Sequence, residues 1–190
     1  MAKVSEVPSR RRAVFLDRDG VLNETHVHNG VSVPPPDLGS LRLMLGATEA
    51  CRELRDAGLL LVIVTNQPDI ARGTQRQGVV DAINSFVATA IAADDTYCCP
   101  HDTADGCACR KPRPGMLLAA AERWNIDLHR SVMIGDRITD VEAGINAGCA
   151  TVLIGYAKPH PANPIPDAWF PSLRAATPWI IHRTEGQTDV

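Results

Sequence analysis

Aromatic residues are scarce, with Phe, Trp and Tyr together supplying 4% of the 190 positions. So small a supply provides no row of stacking platforms for bases. Trp124, Trp169 and Trp179 are therefore read as packing residues. No excess of positive charge is present either: the formal net charge is -3, with 22% of residues charged. This excludes a general nucleic-acid binder or a polybasic membrane-surface protein. Long apolar runs are also missing. The longest, residues 59–64, has the length of a strand, well short of the ~18 residues of a membrane span. Arg10, Arg11 and Arg12 are followed by only four apolar residues before Asp17, too few for the core of a secretory leader. The expectation is a cytoplasmic chain whose six cysteines are kept reduced. At this length a hydrophobic core forms without disulfides. Residues 1–12 read as an N-terminal extension, and residues 13–190 as one domain.

Short aliphatic runs at residues 13–17, 59–65, 132–136 and 151–155 each end at an acid, a Thr or a Gly. Near-continuous apolar runs of this kind suit parallel strands covered on both faces. Helical spacing separates them. Ala47, Ala50, Cys51, Leu54 and Ala57 share a face that stops at Gly58. Val79, Val80, Ile83, Phe86, Val87, Ala90 and Ile91 form a second. Pro114 opens a third helix carrying Leu117, Ala120, Ala121 and Trp124, and residues 138–147 a fourth, closed by Gly148. A fifth spans residues 172–181, with Pro178 as a possible interruption. Residues 33–37 and 157–171 are proline-rich and read as loop and extended passage. The alternation predicts an α/β fold with a doubly wound, Rossmann-like parallel sheet. Ligands bind such sheets beyond the carboxyl ends of the strands, which gathers Asp17, Thr65 and Asp136 on one edge.

Four constellations carry chemistry. Asp17-Arg18-Asp19-Gly20 follows the first strand. One carboxylate there can bind a hard cation and attack an electrophile, while the second shuttles protons. Thr65-Asn66-Gln67 follows the second strand and offers a hydroxyl and two amides to phosphate oxygens. Lys111 can neutralise a transferring phosphoryl group, and Arg110 can grip a second anionic group. In Gly135-Asp136-Arg137-Ile138-Thr139-Asp140, Asp136 is a magnesium ligand, and Asp140 supports the loop or the helix start. A fifth feature, Cys99-Pro100-His101 with Cys107-Ala108-Cys109, pairs ligands closely in the manner of a tetrahedral Cys₃His zinc site. Disulfides within such short spacings are awkward. Four protein ligands leave no open position, so this zinc is structural. Cys51 and Cys149 read as core residues.

In order, these motifs resemble the haloacid dehalogenase-like (HAD) superfamily. The longer strings FLDRDGVLN, VTNQ, CRKPRPGM and IGDRITD are similar to its small subgroup of histidinol-phosphate and heptose-bisphosphate phosphatases. The likeness spans residues 13–155. It implies a Mg²⁺-dependent phosphatase working through an aspartyl-phosphate, without a large cap domain and with a zinc-binding loop. By position it makes Asp17 the nucleophile and Asp19 the general acid/base. Thr65 and Lys111 hold the phosphoryl group, and Asp17, Asp136 and the backbone carbonyl of Asp19 hold the magnesium. Thr25, His28, Asn66, Gln67 and Arg110 are the implied substrate contacts. At position 137 the family often has Lys, and this chain has Arg. The string TNQPDIARG resembles the heptose enzymes' TNQSGIARG, with Pro68 and Asp69 replacing Ser and Gly. The expected substrate is thus a small sugar bisphosphate, D-glycero-D-manno-heptose 1,7-bisphosphate, with histidinol phosphate as the alternative that the short zinc loop favours. The expected protein is a monomer with no nucleic-acid or membrane partner. A receiver-like phospho-accepting module would also place acids at strand ends. It lacks the second acid two residues on and leaves the cysteine loop unexplained.

Overall fold

The computed structural model describes residues 10–28, 31–155 and 164–185. Its centre is β1 (Ala13–Leu16), four apolar residues all buried. β1 pairs in parallel with β4 (Leu60–Asn66) on one side and β6 (Val132–Gly135) on the other. β5 (Asp95–Cys99) extends the sheet beyond β4, while β7 (Ala150–Ile154) and β8 (Ala168–Phe170) extend it beyond β6. The order is β5-β4-β1-β6-β7-β8. The chain therefore winds outward from β1 through β4 and β5, then returns to the other side of β1. That reversal opens a crevice at the carboxyl ends of β1 and β6, where Asp17 and Asp136 follow.

Hydrophobic layers cover both faces of the sheet. On one, Val14, Leu16, Leu61 and Ile63 pack with α1 (Ala47–Asp56), α2 (Gln77–Ile91) and α5 (Leu173–Glu185). On the other, Phe15, Val62, Val64 and Met133 pack with α3 (Gly115–Trp124) and α4 (Ile138–Ala147). The alternation of side chains along β1 explains why adjacent residues serve opposite layers. Burying each large aliphatic side chain contributes roughly 1.5–3 kcal/mol, enough for the four-residue β1 to anchor the centre of the sheet. No helix among the described residues is long and apolar enough to cross a membrane.

Several expectations need correction. On α2, the buried stripe is Val80, Ile83, Asn84, Val87 and Ile91, whereas Phe86 is 51% exposed and Ala90 is exposed. Phe86, although three residues after Ile83, lies roughly 120° around the helix from the centre of the stripe, and the polar Asn84 occupies a core-facing position. Pro178 does not interrupt α5. It is exposed, and the burial of Leu173, Ala176, Thr177, Ile180 and Thr184 on the opposite face holds the helix through it. Trp169 is 38% exposed on the edge strand β8, so it is no core residue, whereas Trp124 and Trp179 pack against the core. β5 and β8 arise where no strand was expected. β2 (His26–His28) and β3 (Val31–Val33) pair as the antiparallel strands of a hairpin. Part of the 157–171 passage lies outside the described residues.

Candidate active site

Asp17 continues the β1–β6 pairing through its backbone N–H, which donates to the Ile134 carbonyl at 2.9 Å. Its carboxylate thereby stands at the crevice, where its Oδ1 accepts from the Lys111 ammonium at 2.6 Å. The same ammonium lies 2.6 Å from Asp140 Oδ1 and donates to the Val64 carbonyl at 2.8 Å. Three donors thus meet three acceptors. Burial disfavours the charge of this 3%-exposed lysine, but Asp140 and Asp17 outweigh burial and hold the ammonium above the usual lysine range. Asn66 fixes the Lys111 backbone from both sides: its Oδ1 accepts from the Lys111 N–H and its Nδ2 donates to the Lys111 carbonyl, both at 3.1 Å.

Asp140 lies on the first turn of α4, where its Oδ2 accepts the Arg137 N–H at 3.0 Å. Of the two roles the sequence left open for Asp140, this bond to the N-cap backbone is the one at the helix start. Asp17, Asp136 and Asp140 each bring a carboxylate oxygen to within 4.8 Å of the others. Burial, and then the Asp140 charge, push the Asp136 carboxyl up to about 6. Burial, with the neighbouring carboxylates, also raises Asp17 against the pull of Lys111. Glycines permit this crowding. A Cβ on Gly20, which has φ +92, would fall 2.2 Å from Asp136 Oδ2, and one on Gly135 would fall 2.1 Å from Asp140 Cβ.

The residues fit a magnesium ion. Asp136 Oδ1 is buried with no hydrogen-bond partner, and hard carboxylate oxygens are the donors that Mg²⁺ takes. Lys111 and the Arg137 N–H occupy both oxygens of Asp140, whereas Lys111 meets Asp17 at Oδ1 alone, so Asp17 and Asp136 are the less engaged carboxylates for the ion.

Asp19 accepts from Arg18, Asn23 and Gln67, and Gln67 Nε2 also donates to Thr65 Oγ1 at 2.8 Å. Gln67 is 3% exposed and sits beneath the site, bridging two candidate catalytic groups. It does not line the cleft, contrary to the expectation of a substrate contact. The cleft itself, about 380 Å³, is lined by Asp17, Asp19, Asn66, Lys111 and Asp140, with Arg110, Arg137, Asp69 and Arg72 among the rim residues. Thr25 is half-buried before β2 and does not line it. The hairpin reaches the cleft through Val33 and Pro34 instead. The side chain of His28 lies outside the described residues.

A second cluster adjoins the rim. Cys99, at the end of β5, stands 3.7 Å from both His101 Nδ1 and Cys107 Sγ. Cys109 lies 3.1 Å from Cys99, 3.4 Å from Cys107 and 3.3 Å from His101. Bonds of about 2.0–2.3 Å to a central zinc would make tetrahedral edges of roughly 3.3–3.8 Å; the donor set matches these except at the 3.1 Å Cys99–Cys109 approach, which the ion would widen. Cys98 stands outside the group. Arg110 Nη1 donates to the His101 carbonyl at 3.1 Å, and Arg72 makes two hydrogen bonds, of 2.7 and 3.0 Å, to Asp102. Cys51 and Cys149 are buried in the core, where burial pushes both thiols up to about 12.

Sequence reasoning passed over Arg18, Asn23 and Asn84. The signals were available in a cation between two acids at a buried strand's end, and in an amide within the apolar stripe of α2.

Comparison with known proteins agrees with this geometry. The HAD-hydrolase-like family matches residues 108–176. The D-glycero-beta-D-manno-heptose-1,7-bisphosphate 7-phosphatase of Yersinia pestis is 35% identical over 185 residues, covering 90% of this chain and 89% of that protein. Among solved structures, the D,D-heptose 1,7-bisphosphate phosphatase from B. bronchiseptica, complexed with magnesium and phosphate, superimposes with a TM-score of 0.74 at 28% identity. That match covers 90% of this chain and 98% of the other. A putative HAD-like phosphatase from Mesorhizobium loti gives a TM-score of 0.73 at 30% identity, over 96% of this chain and 90% of that one. A receiver-like module is thereby set aside.

Proposed function

Because the chain belongs to the heptose 1,7-bisphosphate 7-phosphatase family of HAD-like phosphomonoester hydrolases, we propose that it removes the 7-phosphate of D-glycero-D-manno-heptose 1,7-bisphosphate. The observation that carries this reading is the convergence of Asp17, Lys111, Asp136 and Asp140 at the sheet's switch point, where Asp17, Lys111 and Asp140 line one cleft.

Asp17 attacks phosphorus through a carboxylate oxygen, and the bond from phosphorus to the sugar oxygen breaks. Asp19 gives its proton to that leaving oxygen. The resulting aspartyl-phosphate is opened by a water molecule, whose proton returns to Asp19 as the Asp17–phosphorus bond breaks. Lys111 offsets the phosphoryl charge, which would otherwise repel a carboxylate nucleophile. The Thr65 hydroxyl accepts from Gln67, and so keeps its own O–H to donate to a phosphoryl oxygen. Magnesium held by Asp17, Asp136 and the Asp19 carbonyl would supply further neutralisation of the phosphoryl oxygens. Arg110 on the rim meets the second phosphate. Zinc held by Cys99, His101, Cys107 and Cys109 would order the loop that carries Arg110 and would leave no coordination position for chemistry. The domain is residues 13–190, working as a monomer on a small phosphorylated substrate in the cytoplasm.

The test is phosphate release from heptose 1,7-bisphosphate, histidinol phosphate and fructose 1,6-bisphosphate with Mg²⁺ present. The expected result is preferential turnover of the heptose ester. Turnover of histidinol phosphate alone would overturn the substrate assignment, and no release from any ester would overturn the enzyme reading.

A further inference from the structure

We infer that Arg18, anchored by Asn84 of α2, is a positioning residue that holds the Asp19 carboxylate in its working place. The inference rests on the reading of Asp19 as general acid/base. Arg18 is the largest of the fully buried side chains, with 1% of its surface exposed. Its Nη2 donates to Asp19 Oδ2 at 2.9 Å and Oδ1 at 3.1 Å, and its Nε approaches Oδ1 at 3.3 Å. Its Nη1 donates to Asn84 Oδ1 at 2.6 Å. Asn23 Nδ2 reaches Asp19 Oδ1 at 2.9 Å and Gln67 Nε2 reaches Oδ2 at 2.7 Å. Both oxygens of one side chain are thus held by donors from three separate places in the sequence.

A purely architectural role does not account for this arrangement. Burying a guanidinium carries a large desolvation penalty, and an apolar side chain of similar volume would fill the space at less cost. The ion pair joins adjacent residues, so it closes no loop and ties no two elements together. Among the described residues, the long-range bond of Arg18 runs to Asn84, itself buried among aliphatic neighbours on α2. What the arrangement does fix is the orientation of Asp19. When Asp19 passes its proton to the leaving sugar oxygen, negative charge develops on its carboxylate, and donors already in place stabilise that charge without reorganising. When the attacking water returns a proton, the same frame returns Asp19 to its starting position.

The consequence is selective for the leaving group. A sugar alkoxide needs a proton as it departs, whereas nitrophenolate leaves well without one. Arg18→Met keeps the length of the side chain and removes its donors. It is expected to lower kcat/KM for heptose 1,7-bisphosphate about 100-fold, the scale of lost acid catalysis, with KM changed less than about threefold. For p-nitrophenyl phosphate the loss should stay within about fivefold. Arg18→Lys should recover part of the sugar-ester activity. Asn84→Ala should show the same selectivity at about 10-fold. Arg18→Met added to Asp19→Asn should cause no further loss on the sugar ester. Should Arg18→Met fail to fold, Asn84→Ala decides on the same criterion. Equal losses on the two esters, or no loss, would overturn the inference while Asp19→Asn remains inactive on the sugar ester. If Asp19→Asn itself spares the sugar ester, the acid/base reading fails first, and the inference falls with it.

Discussion

The two candidate metal centres are built in opposite ways. The carboxylate centre draws Asp17, Lys111 and the Asp136–Asp140 pair from three separate parts of the chain, and only the sheet topology brings them together. The thiol–imidazole cluster comes from residues 99–109, a span that local folding can close. The first centre keeps a buried oxygen on Asp136 that accepts no hydrogen bond, and opens into a cleft. The second gathers four soft or borderline donors closely enough to surround one tetrahedral ion. An open set of hard donors beside a cleft leaves room for a reacting phosphate, whereas a closed tetrahedral set leaves room only for structure.

Asp17→Asn tests the open centre most severely. Turnover should fall by about 1,000-fold or more, since removing a nucleophile removes the covalent route, while the melting temperature changes little or rises as a buried charge disappears. Phosphate-release assays beside thermal melts check both halves. Next in size, Gly20→Ala should weaken Mg²⁺ activation by about 10- to 100-fold, because the new methyl group meets the Asp136 carboxylate. A magnesium titration of activity would show it, and an unchanged half-saturating concentration would break the link between Gly20 and the ion. For the closed centre, Cys109→Ser should abolish stoichiometric zinc in elemental analysis and lower Tm by roughly 5–12 °C. If it instead abolished turnover in a protein with unaltered melting, the division of labour between the centres would be wrong.

Proton linkage sharpens the same contrast. The folded Asp136 carboxyl sits near 6, above its ordinary value of 3.8, so without metal the folded state binds more protons than the unfolded state across that window. Its contribution to stability is therefore best at low pH and is lost as pH rises through about 6. Magnesium binds the ionised form, so its stabilising effect should grow from roughly pH 5 to pH 7.5. Melts with and without Mg²⁺ at the two pH values measure this, and an equal or shrinking effect contradicts the assignment. The smallest expected effect belongs to Arg72→Ala. Its pairs with Asp69 and Asp102 are largely exposed, and such pairs contribute about 0–1 kcal/mol. The melting temperature should therefore move by no more than about 4 °C.

Elements whose apolar pattern is strong were legible in the sequence. The strands leading to Asp17, Thr65 and Asp136, and the helix 138–147 closed by Gly148, follow from periodicity and stop signals alone. β5 was hidden because residues 95–99 carry Asp, Thr, Tyr and two Cys at the half-buried edge of the sheet, where no alternation survives. β8 is three residues of edge strand with an exposed Trp. Within the site, the acids and the thiol cluster could be read from spacing, and Lys111 from the resemblance of its motif to the family's. The directions of Gln67 and Asn66 could not, because an amide after a strand suits a ligand and a neighbouring backbone equally well. Only the fold shows that Gln67 serves Asp19 and Thr65 and that Asn66 serves Lys111.

The clasp between Asn66 and the backbone of Lys111 has a practical consequence for changing what the protein accepts. It ties the end of the cysteine loop to β4, which makes the rim of that loop the segment to vary. Its length and rim side chains could be exchanged for those of another family member while the ammonium stays registered to the nucleophile. Substrate range could then be redesigned from one short segment, with the cation that faces the transferred group left where it is.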